Sequence, residues 1–230
     1  MPKSFQPRGG VRPRGTTPKT PELPRDVLDE VRRTTRPTRQ RDALARLARA
    51  IELLERDDPK AAVAEAEKAK ALAPRSSSVR EVLGLAYYGA GRWSEAVTEL
   101  KAYRRMSGRA DQNHLIADAL RGAGKTAEVI PLADEALRDR SVPGEAKAEA
   151  VIVGASALAD EGRYAEALSF LGRARTRDDV SSPYTLRLWY TKGDILERSG
   201  RREEAAAEFR RIVRHDPSAF DAAERLAALS

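Results

Sequence analysis

The sequence predicts an all-α fold of antiparallel helix pairs stacked one on the next, and three observations carry that prediction. First, similar residues recur 34 apart: Ala62-Val63 is followed by Ala96-Val97. The pattern Gly84-x-x-Tyr87, Gly91-Arg92-Trp93-x-x-Ala96-x-x-x-Leu100 then returns as Gly193-x-x-Leu196, Gly200-Arg201-x-x-x-Ala205-x-x-x-Phe209, closed by Pro217. Second, the recurring positions inside the helices are small, which lets two helix backbones approach, while Leu100 and Phe209 fill the space toward the next pair. Third, the chain is 41% hydrophobic but only 5% aromatic, and much of the apolar fraction is alanine. That composition suits close helix–helix packing. A unit of this size cannot bury its apolar face alone, so neighbours stack to make a continuous core.

Taken in order, residues 1–25 read as a basic tail. They carry Pro2, Pro7, Pro13, Pro18, Pro21 and Pro24 with Gly9, Gly10 and Gly15, and six basic side chains against Glu22 alone. The rest of the chain holds 36 basic and 34 acidic residues, so most of the +7 net charge belongs to this segment. With almost no apolar residues to bury, it is expected to be disordered. Residues 26–42 read as an N-terminal capping helix and linker, with Asp26 as N-cap and Pro37 as the stop, lying on the outer face of the first repeat. Five helix pairs follow over 43–219, at about 43–76, 77–110, 110–143, 148–181 and 186–219. In the first, Asp58 caps the second helix, Pro59 opens it, and Asp57 stands where later pairs have Gly91, Gly124, Gly162 and Gly200. Glycine at those turns permits a left-handed backbone without steric cost. The third pair is the most degenerate, with Val129 at the usual alanine. In the fourth, Ala155 takes the small helix-A position. Residues 220–230 read as a C-terminal capping helix with a polar outer side.

This spacing and these residues resemble the tetratricopeptide repeat (TPR) family over about 43–219. The resemblance implies a right-handed α-α superhelix in which the first helix of each pair, helix A, lines a concave groove that binds a partner. Carried over position by position, the implied groove residues are Ser78, Glu81, Leu85 and Tyr88; Asp111, His114, Asp118 and Arg121; Glu149, Ile152, Ser156 and Asp160; and Arg187, Tyr190, Asp194, Glu197 and Arg198. Seven are acidic and three are arginine, so the groove is expected to be net negative with apolar anchors at Leu85, Tyr88, Ile152 and Tyr190. Well-known members hold a chaperone's C-terminal carboxylate with lysine and asparagine. None of Glu81, Leu85, His114, Asp118, Ile152, Ser156, Tyr190 and Asp194 is either, which disfavours that ligand.

No catalytic constellation emerges. There is no cysteine, which removes thiol nucleophiles, cysteine metal sites and disulfides. The two histidines, His114 and His215, are on different repeats and have no matched nucleophile or metal-ligand set. His215 suits a helix C-terminus, where a cation is favoured. Gly122-Ala123-Gly124-Lys125-Thr126 ends like a phosphate-binding loop, yet the glycine required further upstream and the preceding strand are both missing. Neither an enzyme nor a metal or organic cofactor is expected. The start lacks the apolar run of a signal peptide, and no stretch approaches the ~18 apolar residues of a membrane span. The expected setting is cytoplasmic, and the arginine- and alanine-rich usage has a bacterial look. The sequence leaves the oligomeric state open.

Two functions follow. The first is a non-catalytic protein–protein adaptor whose groove takes a basic or amphipathic segment of another protein. The second is an RNA- or ribosome-associated factor. It would use Arg8, Arg12 and Arg14 of the tail together with a ridge of basic residues near the ends of the second helices: Lys68, Lys70, Arg104, Arg105, Arg138, Arg140, Arg173, Arg175, Arg177, Arg210, Arg211 and Arg214. With only Phe5 near the tail arginines to stack on a base, nucleic-acid contact of this kind would be weak and indifferent to sequence.

Overall fold

The structure, a computed structural model, describes residues 23–174 and 183–229. Arg8, Arg12, Arg14, Arg175 and Arg177 lie outside the described residues. Every regular element among the described residues is helical. The chain divides into two compact units, Met1–Met106 and Ser107–Ser230. The division falls at the end of a helix, next to Gly108, whose φ is 72°.

In the first unit, α1 (Arg25–Thr34) follows Pro24, and Asp26 lies inside its first turn rather than capping it. Proline at the N-cap supplies no side-chain acceptor, so the expected Asp26 cap is not formed. The helix does end before Pro37, but Pro37 is itself the opening residue of α2 (Pro37–Glu55). A proline at that position loses no hydrogen bond, which is why the first pair begins six residues earlier than residue 43. After α2, Asp57 adopts φ 59°, the left-handed value its glycine counterparts take, and the Asp58 carboxylate accepts from the Ala61 N–H at 3.1 Å to start α3 (Pro59–Leu72). Then come α4 (Ser77–Gly89), capped by Ser76, and α5 (Trp93–Ser107).

Helices α4 and α5 approach closely at Gly84. A Cβ there would lie 2.6 Å from the Leu100 side chain. Leu47, Ala62, Leu83, Ala96 and Leu100 are fully buried around such contacts, and Tyr103 is accommodated in the same core at 2% exposure.

The N-terminal helix is not on the outer face. It packs on α2 and α4, the first helices of two successive pairs. Val31 is fully buried there, and the Glu30 carboxylate accepts from Ser76 Oγ at 2.6 Å and the Ser77 N–H at 2.8 Å. A carboxylate at the N-terminus of α4 meets unpaired N–H groups and the positive end of the helix dipole. Gln40 in turn donates to the carbonyls of Arg32 and Thr35, closing the end of α1.

The second unit contains α6 (Asn113–Gly122), a 3-10 turn (Thr126–Glu128) running into α7 (Val129–Arg138), α8 (Gly144–Asp160), α9 (Tyr164–Leu171), α10 (Pro183–Arg198), α11 (Arg202–His215) and α12 (Ala222–Leu229). The third pair is irregular where Pro131 enters the first turn of α7. Gly193 is the counterpart of Gly84 and faces Phe209 at 2.9 Å from a would-be Cβ. In the fourth pair the close approach is made by Gly154 against Phe170, one position ahead of Ala155. Phe209 and Ile212 are fully buried, and Trp189 stacks with His215 at 5.2 Å while Arg211 lies 3.8 Å over its indole.

Candidate peptide-binding face

The groove positions inferred from sequence divide between the two units. In the first, α4 carries Ser78, Glu81, Leu85 and Tyr88, all half-buried, and Tyr88 stands edge-on to Trp93 at 5.4 Å. The second unit supplies the remainder, Asp111 from the turn before α6 and the others from α6, α8 and α10, and most of the charged ones form a connected system. Arg121 on α6 pairs with Asp118 at 2.9 Å and reaches Asp160 on α8 at 3.0 Å. Arg198 on α10 also binds Asp160, at 3.1 Å, and approaches Asp194 at 3.5 Å. Arg225 on α12 completes the row, pairing with Asp194 at 3.0 Å and with Glu197. Four carboxylates (Asp118, Asp160, Asp194, Glu197) thus alternate with three guanidinium groups (Arg121, Arg198, Arg225) across four helices.

Electrostatics follow from that alternation. Burial works against the charge on Arg121, but Asp118 and Asp160 outweigh it and hold the pKa above the ordinary arginine value. Burial likewise opposes Arg225, and Glu197, Tyr190 and Asp194 raise its pKa despite it. Glu149 lies apart from the row, paired with Arg187 at 2.7 Å, and its burial lifts the carboxyl pKa above the usual value. Asp111 pairs with Arg109 at 2.6 Å. His114 is half-buried, and that burial lowers its pKa. Ile152 is 7% exposed and belongs to the core, so it offers little to a ligand. Ser156 is half-buried. The acidic excess counted from helix A alone is therefore largely neutralised within the chain, because Arg109 and Arg225 come from outside the positions counted.

Tyr190 joins the row to the C-terminal segment. Its hydroxyl donates to Asp221 at 2.7 Å and accepts from Arg225 at 3.1 Å, and its ring lies 4.7 Å from Phe220. Burial and the Asp221 bond push its pKa up to about 12. Sequence reasoning missed Arg225, although a signal was there. Continuing the 34-residue register past Pro217 places Arg225 where the second and fourth pairs have Val82 and Val153, both buried. A guanidinium at an inward-facing position requires carboxylate partners.

Family models for the tetratricopeptide repeat match residues 47–112 and 186–229. The chain carries tetratricopeptide repeats. No curated protein matches the chain in sequence. Among solved structures, the thermophilic TPR protein TTC0263 of Thermus thermophilus is 17% identical, with 81% of this chain and 98% of that chain covered at a TM-score of 0.62. YrrB, a TPR protein with an unusual peptide-binding site, is 19% identical, with 79% and 90% covered at a TM-score of 0.54. At such identities the likeness concerns the fold.

Several members of the basic ridge of this TPR chain are engaged. Lys68 pairs with Glu65 at 2.8 Å, Lys70 with Glu99 at 2.6 Å and Arg173 with Asp134 at 2.5 Å, while Arg211 covers Trp189. Glu99 is a buried acid, 4% exposed, held by both Lys70 and Arg80. Glu65 and Glu208 are also largely covered, and Glu208 pairs with Lys192 at 2.6 Å. The Gly122–Thr126 stretch is a TPR inter-helix turn: Gly124 takes φ 73° and Thr126 starts the 3-10 turn. Among the described residues no cluster of three or more potential ligands fits a metal ion, and no helix is long and apolar enough to cross a membrane.

Proposed function

We propose that this TPR protein is a non-catalytic adaptor that binds a basic or amphipathic segment of another protein on the A-helix face of its second unit. The observation that carries this reading is the alternating row from Asp118 to Glu197. Its carboxylates outnumber its guanidinium groups by one, and the row stays partly solvated, with Asp160 at 28% and Asp194 at 33% side-chain exposure. An incoming cation can exchange for an internal one at little cost, since exposed pairs of this type are individually worth ~0–1 kcal/mol. The one uncompensated carboxylate leaves the row net negative, a bias toward cationic ligands. Tyr190 supplies apolar contact for the non-polar side of such a segment. The peptide-binding site named for YrrB is consistent with this use of the fold.

The experiment is affinity capture from the native host, with and without nuclease, followed by fluorescence anisotropy with basic and acidic peptides. Protein partners that survive nuclease and a preference for the basic peptide support the adaptor. Capture that disappears with nuclease moves the function to nucleic acid and to the basic tail and ridge.

A further inference from the structure

The environment of Arg225 is a complete arginine-recognition site. Asp194 accepts from its guanidinium at 3.0 Å, Glu197 accepts from Nε at 2.9 Å and again from Nη2, and the Tyr190 hydroxyl accepts from Nη1 at 3.1 Å. The planar group also lies 4.6 Å over the Phe209 ring and 5.3 Å over Tyr190. Forked donation to carboxylates combined with stacking on aromatic faces suits arginine and not lysine. All four receptor residues belong to α10 and α11, whereas the occupant belongs to α12.

Apart from Arg225, the helix that carries the occupant is lightly covered. Of the eight residues of α12 only Ala222 is buried, while Leu226 and Leu229 are partly covered. A further tie is a bond from Arg202 to the Ala228 carbonyl at 3.0 Å. The segment leading into α12 contains Phe220 at φ 57°, a left-handed conformation that a bulky aromatic adopts only under strain. Release of α12 would relieve that strain and withdraw Arg225 from Asp194, Glu197 and Tyr190 together, leaving Asp194 beside Arg198.

We propose that α12 is a displaceable occupant of an arginine-binding site, and that the partner segment supplies an arginine in place of Arg225. This rests on the adaptor reading and sharpens it in two ways: it names arginine as the recognised residue, and it makes the C-terminal helix a built-in competitor.

The test uses the full chain and a fluorescein-labelled synthetic peptide of residues 218–230, added in trans. Wild type should bind it weakly and Arg225→Ala at least tenfold more tightly. A peptide with alanine or lysine in place of its arginine should show no such gain. Asp194→Asn combined with Arg225→Ala should abolish the gain. Circular dichroism reports whether the variants keep their helicity, and Arg225→Lys, which retains charge, provides an opening of the site with less disturbance and an intermediate gain. Equal binding by wild type and Arg225→Ala, or a gain that the lysine peptide shares, overturns the proposal. An unrelated oligolysine or amphipathic basic peptide is titrated alongside. If it binds wild type while the Arg225 variants show no gain, the adaptor reading survives and the competitor does not. If no basic peptide binds any variant, both fail.

Discussion

The two terminal helices do the same job with opposite charges. Helix α1 presents Glu30 to the N-terminus of α4, where N–H groups await an acceptor, while α12 presents Arg225 to carboxylates of α10. The units behind them differ in the same sense. In the first, Glu99, 4% exposed, links helices through its pairing with Lys70 and Arg80. In the second, the acids form a partly solvated row on the A-helix face. Buried pairs fix a structure because breaking them strands a charge, whereas solvated pairs can exchange partners. On the proposed reading, the first set serves architecture and the second recognition.

The largest effect is expected at the core beneath the Arg225 site. Phe209→Ala removes a fully buried ring, and urea unfolding of the second unit should register a loss of ~3–5 kcal/mol. Its counterpart Leu100→Ala in the first unit should cost ~2–5 kcal/mol, but only Phe209→Ala should also loosen α12, read by hydrogen exchange at 222–229. Equal exchange in both variants would break the link between ring and cap.

Next comes the contrast between acids. Glu99→Gln leaves Lys70 and Arg80 facing a neutral group in a site only 5% exposed, so a cost of ~2–3 kcal/mol is expected. Asp160→Asn, between Arg121 and Arg198, should cost ~1 kcal/mol or less. If the two losses are equal, the distinction between a structural and an exchangeable set of pairs collapses.

Glu30→Gln should cost ~1 kcal/mol, the scale of a capping and dipole interaction, and should speed exchange in α1 without touching the second unit.

The last effect appears only in alkali. Burial, and then the bond to Glu67, push the Tyr87 pKa up to about 12, and Tyr190 is pushed to about 12 by burial and Asp221. Each folded pKa lies above the ordinary value of 10, so the native state holds the proton more tightly. The resulting stability is present below about pH 10 and is lost as pH rises from about 10 toward 12. Tyr87→Phe should flatten that decline in the first unit and Tyr190→Phe in the second, measured by denaturant midpoints across this range.

Much of the fold was legible because its signals are local. Turn glycines, small residues 34 apart and the Asp58-Pro59 start all act within a few residues of their position, and Asp57 could take the glycine's place because Asp tolerates left-handed backbone better than most residues. The failures involve choices between surfaces. Amphipathy in α1 shows that one side is buried but not against which helices, so its seat on α2 and α4 stayed hidden. Gly154 and Phe170 are spaced as Gly84 and Leu100 are, but one position ahead of the frame set by the turn glycines, so that frame pointed to Ala155. The partly covered row was visible as acids and arginines at groove positions, but its neutralisation depends on Arg225, supplied from a helix read only as a cap.

The account stands on the row of carboxylates from Asp118 to Glu197 reading a cationic segment. Anisotropy titration of a basic amphipathic peptide against wild type and the triple variant Asp118→Asn, Asp194→Asn, Glu197→Gln tests it directly. The account predicts at least tenfold weaker binding by the variant with helicity retained. Unchanged affinity, or a preference of the wild-type protein for acidic peptides, would contradict it.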